Sequence, residues 1–318
     1  MRVRLRPLGW CSLALTVPLL LTSCTIGDLE TAPISSSTQS TSTVTITSHL
    51  NPGSGDPRPG AQPEAGHGVE PEGASISAGS GELNGALQAA VEQTTLVFAG
   101  TAGIAVSDGS TEFMAGDTGP AASWSTIKVP IAIAALRQDP QQAANATAAI
   151  QWSDNPAAEA LWLSLGTPEQ ASGATGAVLA EGGSGTAVNA VRSRSEFSTF
   201  GQTMWTPTDQ ARFAANLECI PGAEPVLESM SMVEASQTWG IGQLPNARFK
   251  GGWGPDPDGS YMARQFGLST DPETGQMVAL AIIVRPGSGT FSDAQAMAST
   301  LISHIQDELS LAPEASCL

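Results

Sequence analysis

The order of patterned segments predicts an α+β domain over residues 82–318. Three observations carry this reading. Apolar residues at helical spacing (Leu83, Leu87, Ala90, Val91) open the domain, short β-rich runs lie near both of its ends, and mostly helical, Ala-rich chain separates them. The β-rich runs are residues 95–99 and 103–107 on one side and 248–251, 262–269 and 277–284 on the other; residues 292–309 read as a closing amphipathic helix. Helix, strands, helical insertion, strands and helix give an α+β domain whose first and last segments meet in one sheet.

The chain ahead of this domain has a different composition. Arg2, Arg4 and Arg6 precede a short apolar run, 13–21, that ends in Thr22-Ser23-Cys24. The run is too short to span a bilayer and has the layout of an export signal over residues 1–23. Leu21-Thr22-Ser23-Cys24 resembles a bacterial lipobox, whose cysteine carries lipid in the mature protein; a plain signal peptide is the alternative. Several acyl chains on Cys24, each methylene worth about 0.8 kcal/mol on burial, would attach the chain stably to the membrane. The expected location is extracytoplasmic, anchored to the bacterial cell membrane as a lipoprotein.

Residues 24–81 are rich first in Ser and Thr, then in Pro, Gly and acids, and lack the apolar density that offsets ordering entropy. They read as a disordered tether, and ~55 flexible residues reach about 40 Å. Loss of three arginines with the signal takes the formal charge from −17 to −20. A surface this acidic disfavours nucleic acid as a partner. Of four cysteines, Cys11 leaves with the signal and Cys24 takes the lipid. Cys219 and Cys317 remain, and an oxidising compartment permits them to pair and to pin residues 312–318 to the body; two free buried thiols are the alternative.

Histidine chemistry is excluded first. His49 and His67 lie in the tether and His304 in the closing helix, so the domain core holds neither a Ser-His-Asp triad nor a histidine metal site. Lysine is the remaining candidate base. The chain has two, Lys128 and Lys250, against eleven arginines, and both fall in motifs. Ser125-Thr126-Ile127-Lys128 opens an apolar helical run, and at i, i+3 the hydroxyl and the amine share a face. A desolvated lysine there could take the serine proton. Pro130 is compatible with the run only within the first turn or two. Ser153-Asp154-Asn155-Pro156 reads either as a helix start, with Asn155 as N-cap, or as a proton relay at Ser153 with Asn155 on a substrate amide. Lys250-Gly251-Gly252-Trp253-Gly254 reads either as a turn or as a strand edge along which substrate lies beside a positive charge.

The three motifs, in this order, resemble the S-x-x-K, S-D-N and K-T-G set of class A serine β-lactamases and penicillin-binding proteins. Residues 148–158 are similar to that family's helix-loop-helix, and Thr206-Pro207 resembles the segment closing its omega loop. The resemblance covers about residues 83–309. It implies a β-lactamase/transpeptidase-like fold, with an antiparallel sheet flanked by N- and C-terminal helices and an all-helical lobe, trimmed because Lys128 and Ser153 are close in sequence. It implies that Ser125 is the nucleophile of an acyl-enzyme, Lys128 the base, and Ser153 the proton shuttle. Lys250 would complete the catalytic set with its positive charge, Asn155 and Gly252 would line the substrate with Trp253, and the N–H groups of Ser125 and Trp253 would form the oxyanion hole. Arg264 resembles an arginine that binds a substrate carboxylate; a surface strand arginine is the alternative.

The sequence departs from the family at Gly251, which lacks the motif hydroxyl, and in the loop before Pro207. There Glu196 is the nearby carboxylate that could activate a deacylating water, but its asparagine companion is missing; a solvated acid paired with Arg192 or Arg194 is the other reading. Tyr261, the single tyrosine, is not in a Y-x-N arrangement, which disfavours the class C and esterase variants. The expectation is an exported, lipid-anchored serine hydrolase acting on a β-lactam or cell-wall peptide with slow deacylation, or an envelope-binding lipoprotein that retains the fold. It needs no cofactor or metal, and a monomer meeting a small-molecule or peptide substrate is expected.

Overall fold

A computed structural model describes the backbone of residues 73–317 and the side chains from residue 81 onward. The export signal, Cys24 and the tether up to residue 72 lie outside the described residues. The first helix is longer than its sequence pattern at both ends. Helix α1 spans Gly73–Phe98, so residues 73–81, read as tether, are helical backbone; the last proline ahead of them is Pro71, and no proline interrupts the helix. Residues 95–98, read as strand, form the last turn of α1. The Thr95 hydroxyl, like that of Thr94 before it, turns back onto the helix, donating to the carbonyls of Glu92 and Ala90 respectively. Leu96 and Val97 point outward, 84% and 68% exposed, while Leu83, Leu87, Ala90, Val91, Thr94 and Phe98 keep the helical spacing against the core.

The other four expected strands fall where the sequence places them, and three more, Glu112–Gly116, Ala121–Ala122 and Met204–Trp205, lie where its pattern marks none. Strands β1 (Thr101–Ser107) and β2 (Glu112–Gly116) form a hairpin whose turn is fixed by Asp108, which accepts from the amides of Ser110 and Thr111, and by Gly109 at φ +109°. A short pair, β3 (Ala121–Ala122) and β4 (Met204–Trp205), stands apart from the main sheet. Strands β5 (Arg248–Pro255), β6 (Tyr261–Thr270) and β7 (Met277–Arg285) complete a five-stranded sheet in the order β2-β1-β7-β6-β5, antiparallel throughout. The first and last segments do meet, since β1 pairs with β7 at Ala105 opposite Ala281. Strand β5, which carries Lys250, is an edge.

The period of two along β7 divides the core. Val278, Leu280, Ile282 and Val284 face α1 and α8 (Phe291–Ser303), which supplies Met297, Leu301 and Ile302. Ala279 and Ala281 face the other way, where α6 (Pro207–Asn216) crosses the sheet with Ala211, Phe213 and Ala214. The expected helix over 292–309 is broken: α8 ends at Ser303 and a 3-10 turn follows over Gln306–Leu311. The helical lobe consists of α2 (Lys128–Gln138), α3 (Ala143–Gln151), α4 (Asn155–Ser164), α5 (Pro168–Glu181) and α7 (Glu224–Met230). It packs as one core with α6, through Ile131, Ile150, Leu161, Val178 and Leu227.

Cys219 and Cys317 are joined, with Cα atoms 5.8 Å apart. The tail before Cys317 is also tied by its backbone: Ala315 N donates to Met277 O at 2.7 Å and Ser316 N to Asp108 O at 3.0 Å. The bridge thus fastens the tail across the β1–β2 turn and the end of α6.

Candidate active site

Ser125 lies in a 3-10 turn, Trp124–Ile127, that feeds directly into α2. Because α2 begins at Lys128, Pro130 is its third residue, where the missing N–H has no helical partner to lose. The hydroxyl and the amine of the S-x-x-K motif therefore straddle the junction of the two helix types. Ser125 is 4% exposed and Lys128 1%.

The lobe supplies the second motif through a bend between α3 and α4. Ser153 adopts φ +57°, a left-handed conformation that turns the chain sharply. Asp154, not Asn155, is the N-cap of α4, and its Oδ1 accepts from Ala157 N at 2.7 Å. The correction has a chemical consequence, because Asn155 is left to face the site. Its Oδ1 takes a hydrogen bond from Lys128 Nζ at 2.7 Å, and the same nitrogen donates to Ser153 O at 2.6 Å and lies 3.4 Å from Ser153 Oγ. From the sheet, Lys250 Nζ reaches Ser153 Oγ at 3.0 Å and Gly251 O at 2.9 Å. Ser153 Oγ is thus the point on which both lysines converge, and all three side chains are buried.

The third motif sets the distance between sheet and nucleophile. Along β5, Lys250, Gly252 and Gly254 share one face. A Cβ on Gly252 would lie 2.8 Å from Ser125 N, 2.9 Å from Ser123 O and 3.0 Å from Thr126 N. A Cβ on Gly254 would lie 2.5 Å from the Trp124 ring. Trp124 has φ +49° and packs edge-on against Phe197 at a centroid distance of 5.0 Å, in a small apolar cluster with Met262 and Ile283. The Trp253 ring lies on the opposite face, stacked on Phe291 at 5.1 Å. Its contribution to the site would be its backbone N–H. Gly251 is under no such packing constraint, since a Cβ there would meet its nearest neighbours at 3.6 Å.

Two expected site residues take other roles. Arg264, opposite Gly252 in the sheet, is 0% exposed. Its Nε and Nη2 donate to Gln210 Oε1 at 3.1 and 2.6 Å, Nη1 to Ala121 O and Ala122 O at 2.9 and 3.1 Å, and Nη2 also to Trp205 O at 2.8 Å. All five donors are engaged inside the protein, so Arg264 is neither a carboxylate anchor nor a surface arginine. Burial, and then repulsion from Arg285, lowers its pKa to about 9, which leaves the guanidinium charged at neutral pH.

Glu196 is the solvated loop acid. It pairs with Arg194 at 3.2 Å, with about half of its side chain exposed. Its pKa is lowered, first by its own backbone N–H and then by Arg194, opposite to the upward shift that suits a water-activating base. Arg192 instead donates to Ser195 O at 3.2 Å. The loop is held by Gln202, whose amide bonds Ser193, Arg194, Phe197 and Ser198, and by Arg194 Nη1, which donates to Pro255 O at 2.7 Å. Trp124, Gln202 and Gln210 are parts of the site that sequence reasoning missed. Only Trp124, a large aromatic directly before the nucleophile, left a signal.

No protein-family profile matches this chain, and no curated protein sequence matches it. Solved structures do. The TLA-3 extended-spectrum β-lactamase superposes with a TM-score of 0.57 at 15% identity, over 71% of this chain and 99% of that one. A class A β-lactamase from Bacteroides cellulosilyticus DSM 14838 gives 0.56 at 16%, over 70% and 98%, and one from Mycobacterium abscessus 0.56 at 13%, over 70% and 99%. The antiparallel sheet, its flanking helices and the helical lobe are therefore those of the β-lactamase-like fold.

Proposed function

We propose that this chain, built on the β-lactamase-like fold, is an exported serine hydrolase that is acylated at Ser125 by a β-lactam or a cell-wall peptide and releases the acyl group slowly. The observation that carries the reading is the convergence of Lys128 and Lys250 on Ser153 Oγ, at 3.4 and 3.0 Å, beside the turn holding Ser125. In the proposed reaction the Ser125 oxygen bonds the substrate carbonyl carbon and its proton passes to the Lys128 amine. The carbonyl oxygen takes up negative charge against the N–H groups of Ser125 and Trp253. When the C–N bond breaks, Ser153 Oγ delivers a proton to the leaving nitrogen and is resupplied from the neighbouring lysine.

Hydrolysis of the ester then requires a base for water. The pairing and exposure of Glu196 argue that it does not serve, and the acyl-enzyme should persist. Glu196→Gln is accordingly expected to leave the lifetime of a penicilloyl adduct within about 2-fold of wild type; a change of tenfold or more in a deacylation time course would restore Glu196 as the base.

The lipobox-like run ending at Cys24 supports attachment to the outer side of the cell membrane, and the Cys219–Cys317 bridge supports an oxidising compartment. The near-complete burial of Ser125 favours one other reading, a weakly catalytic or non-catalytic envelope-binding lipoprotein. Labelling separates the two. Fluorescent penicillin or a fluorophosphonate should form an adduct that maps to Ser125 and disappears in Ser125→Ala. Wild-type protein that takes up neither probe supports binding without catalysis.

A further inference from the structure

We infer that Arg264, Gln210 and Thr126 form a buried hydrogen-bond relay that positions the nucleophile turn, with Gln210 as a positioning residue for acylation at Ser125. This rests on the functional reading of Ser125 given above. Gln210, in the second turn of α6, is fully buried, and its Oε1 accepts from both Nε and Nη2 of Arg264. That double contact fixes which way the amide faces, because only the oxygen can accept from a guanidinium. Gln210 Nε2 must then point the other way, and it donates to Thr126 Oγ1 at 2.9 Å. With that lone pair taken, the Thr126 hydroxyl donates its own hydrogen to Ser123 O. Every bond therefore runs in one direction, from the β6 arginine through the α6 glutamine to the two residues that bracket Ser125.

The far end of the relay is anchored as well. The other Arg264 donors hold Ala121, Ala122 and Trp205, which form the β3–β4 pair, and Ser123 N donates to Thr203 O at 2.8 Å. The sheet, α6 and the strand pair thus meet on the turn that places Ser125. Ser123 O is also one of the atoms that Gly252 approaches, so a shift of this carbonyl alters the spacing between the turn and β5. Among the described residues no carboxylate lies within ion-pair distance of Arg264; the cation is held by neutral oxygens alone. A polar chain of this kind is sensitive to the character of each member, since replacing one donor by an acceptor reverses the next bond.

Gln210→Glu tests this with almost no change in shape. One carboxylate oxygen keeps the Arg264 contact and gains a charge partner, which should hold or raise the thermal midpoint. The other oxygen faces Thr126 Oγ1 as an acceptor and draws the hydroxyl hydrogen away from Ser123 O. The limiting acylation rate by benzylpenicillin should fall about tenfold while the concentration dependence of the pre-covalent step stays unchanged. Thr126→Val should show the same rate loss and Thr126→Ser should restore it. A Gln210→Glu protein that melts at the wild-type temperature and acylates at the wild-type rate overturns the relay. If Gln210→Glu does not fold, Thr126→Val acylating as fast as wild type overturns it equally. Wild type that takes no acyl group removes the functional reading itself, and the positioning role with it.

Discussion

Gly252→Ala should reduce the rate of acylation at Ser125 by about 100-fold while leaving a folded protein. The added methyl would sit 2.8 Å from Ser125 N, 2.9 Å from Ser123 O and 3.0 Å from Thr126 N. All three are backbone atoms, so no side chain can swing aside. The turn they belong to is braced by Ser123 N on Thr203 O and by the Thr126 hydroxyl on Ser123 O, so the displacement must be shared with β5. Strand β5 is an edge with neighbours on one side only, and it yields at a cost of about 1–3 kcal/mol of overpacking. The two N–H groups proposed for the oxyanion hole lie on the two sides of this contact. Losing one such donor costs roughly 10²–10³ in rate, and an error of about 1 Å in a reacting group costs about as much. Gly251→Ala is the internal control, because its Cβ would meet only ordinary contacts at 3.6 Å, and its acylation rate should stay within about 3-fold of wild type. Stopped-flow acylation of the two variants decides the matter. Equal rates for Gly252→Ala and wild type would mean that the sheet-to-turn spacing does not control the chemistry.

Reduction of the Cys219–Cys317 bridge should produce the largest loss of stability available by a change outside the core. The cysteines are 98 residues apart, and closing a loop of that size removes denatured-chain entropy worth about 4.7 kcal/mol, of which native disulfides commonly deliver 2–5. For a domain of this size each kcal/mol moves the midpoint by roughly 2–4 °C, so a fall of about 10 °C is expected. Both cysteines are exposed, which lets a reductant reach the bond without unfolding the domain. Calorimetry of the Cys219→Ser, Cys317→Ser double variant, and of wild type with and without thiol, checks this. A midpoint that stays within about 2 °C would show that the tail contacts at Met277 and Asp108 suffice on their own.

Much of the fold could be read because local pattern and tertiary environment agree. The β7 residues 277–284 are apolar on both faces and are buried on both. The three motifs were legible for another reason: a chain with two lysines places both on one hydroxyl. The failures have physical causes as well. Thr95 and Val97 have strand preference, but the packing of apolar residues at helical spacing through Phe98 prevails over it. Asp154 and Asn155 are both good caps, and only the position of Lys128 shows which of them turns to the site. Arg264 was misread because a sequence gives a strand residue its face but not its depth. Its five hydrogen bonds end on four acceptors scattered from Ala121 to Gln210, two of them on the same glutamine oxygen. Gln210 itself carries no pattern at all, since a buried glutamine on an α-helix looks like any exposed one until its partners are known.

The most direct test of the proposed chemistry is the intact mass of the wild-type protein followed over time after brief exposure to benzylpenicillin and removal of the excess. The predicted result is one added acyl group, located on Ser125, that decays over tens of minutes or longer. Unmodified protein together with fast catalytic loss of the penicillin would contradict slow release, and unmodified protein with intact penicillin would contradict acylation itself.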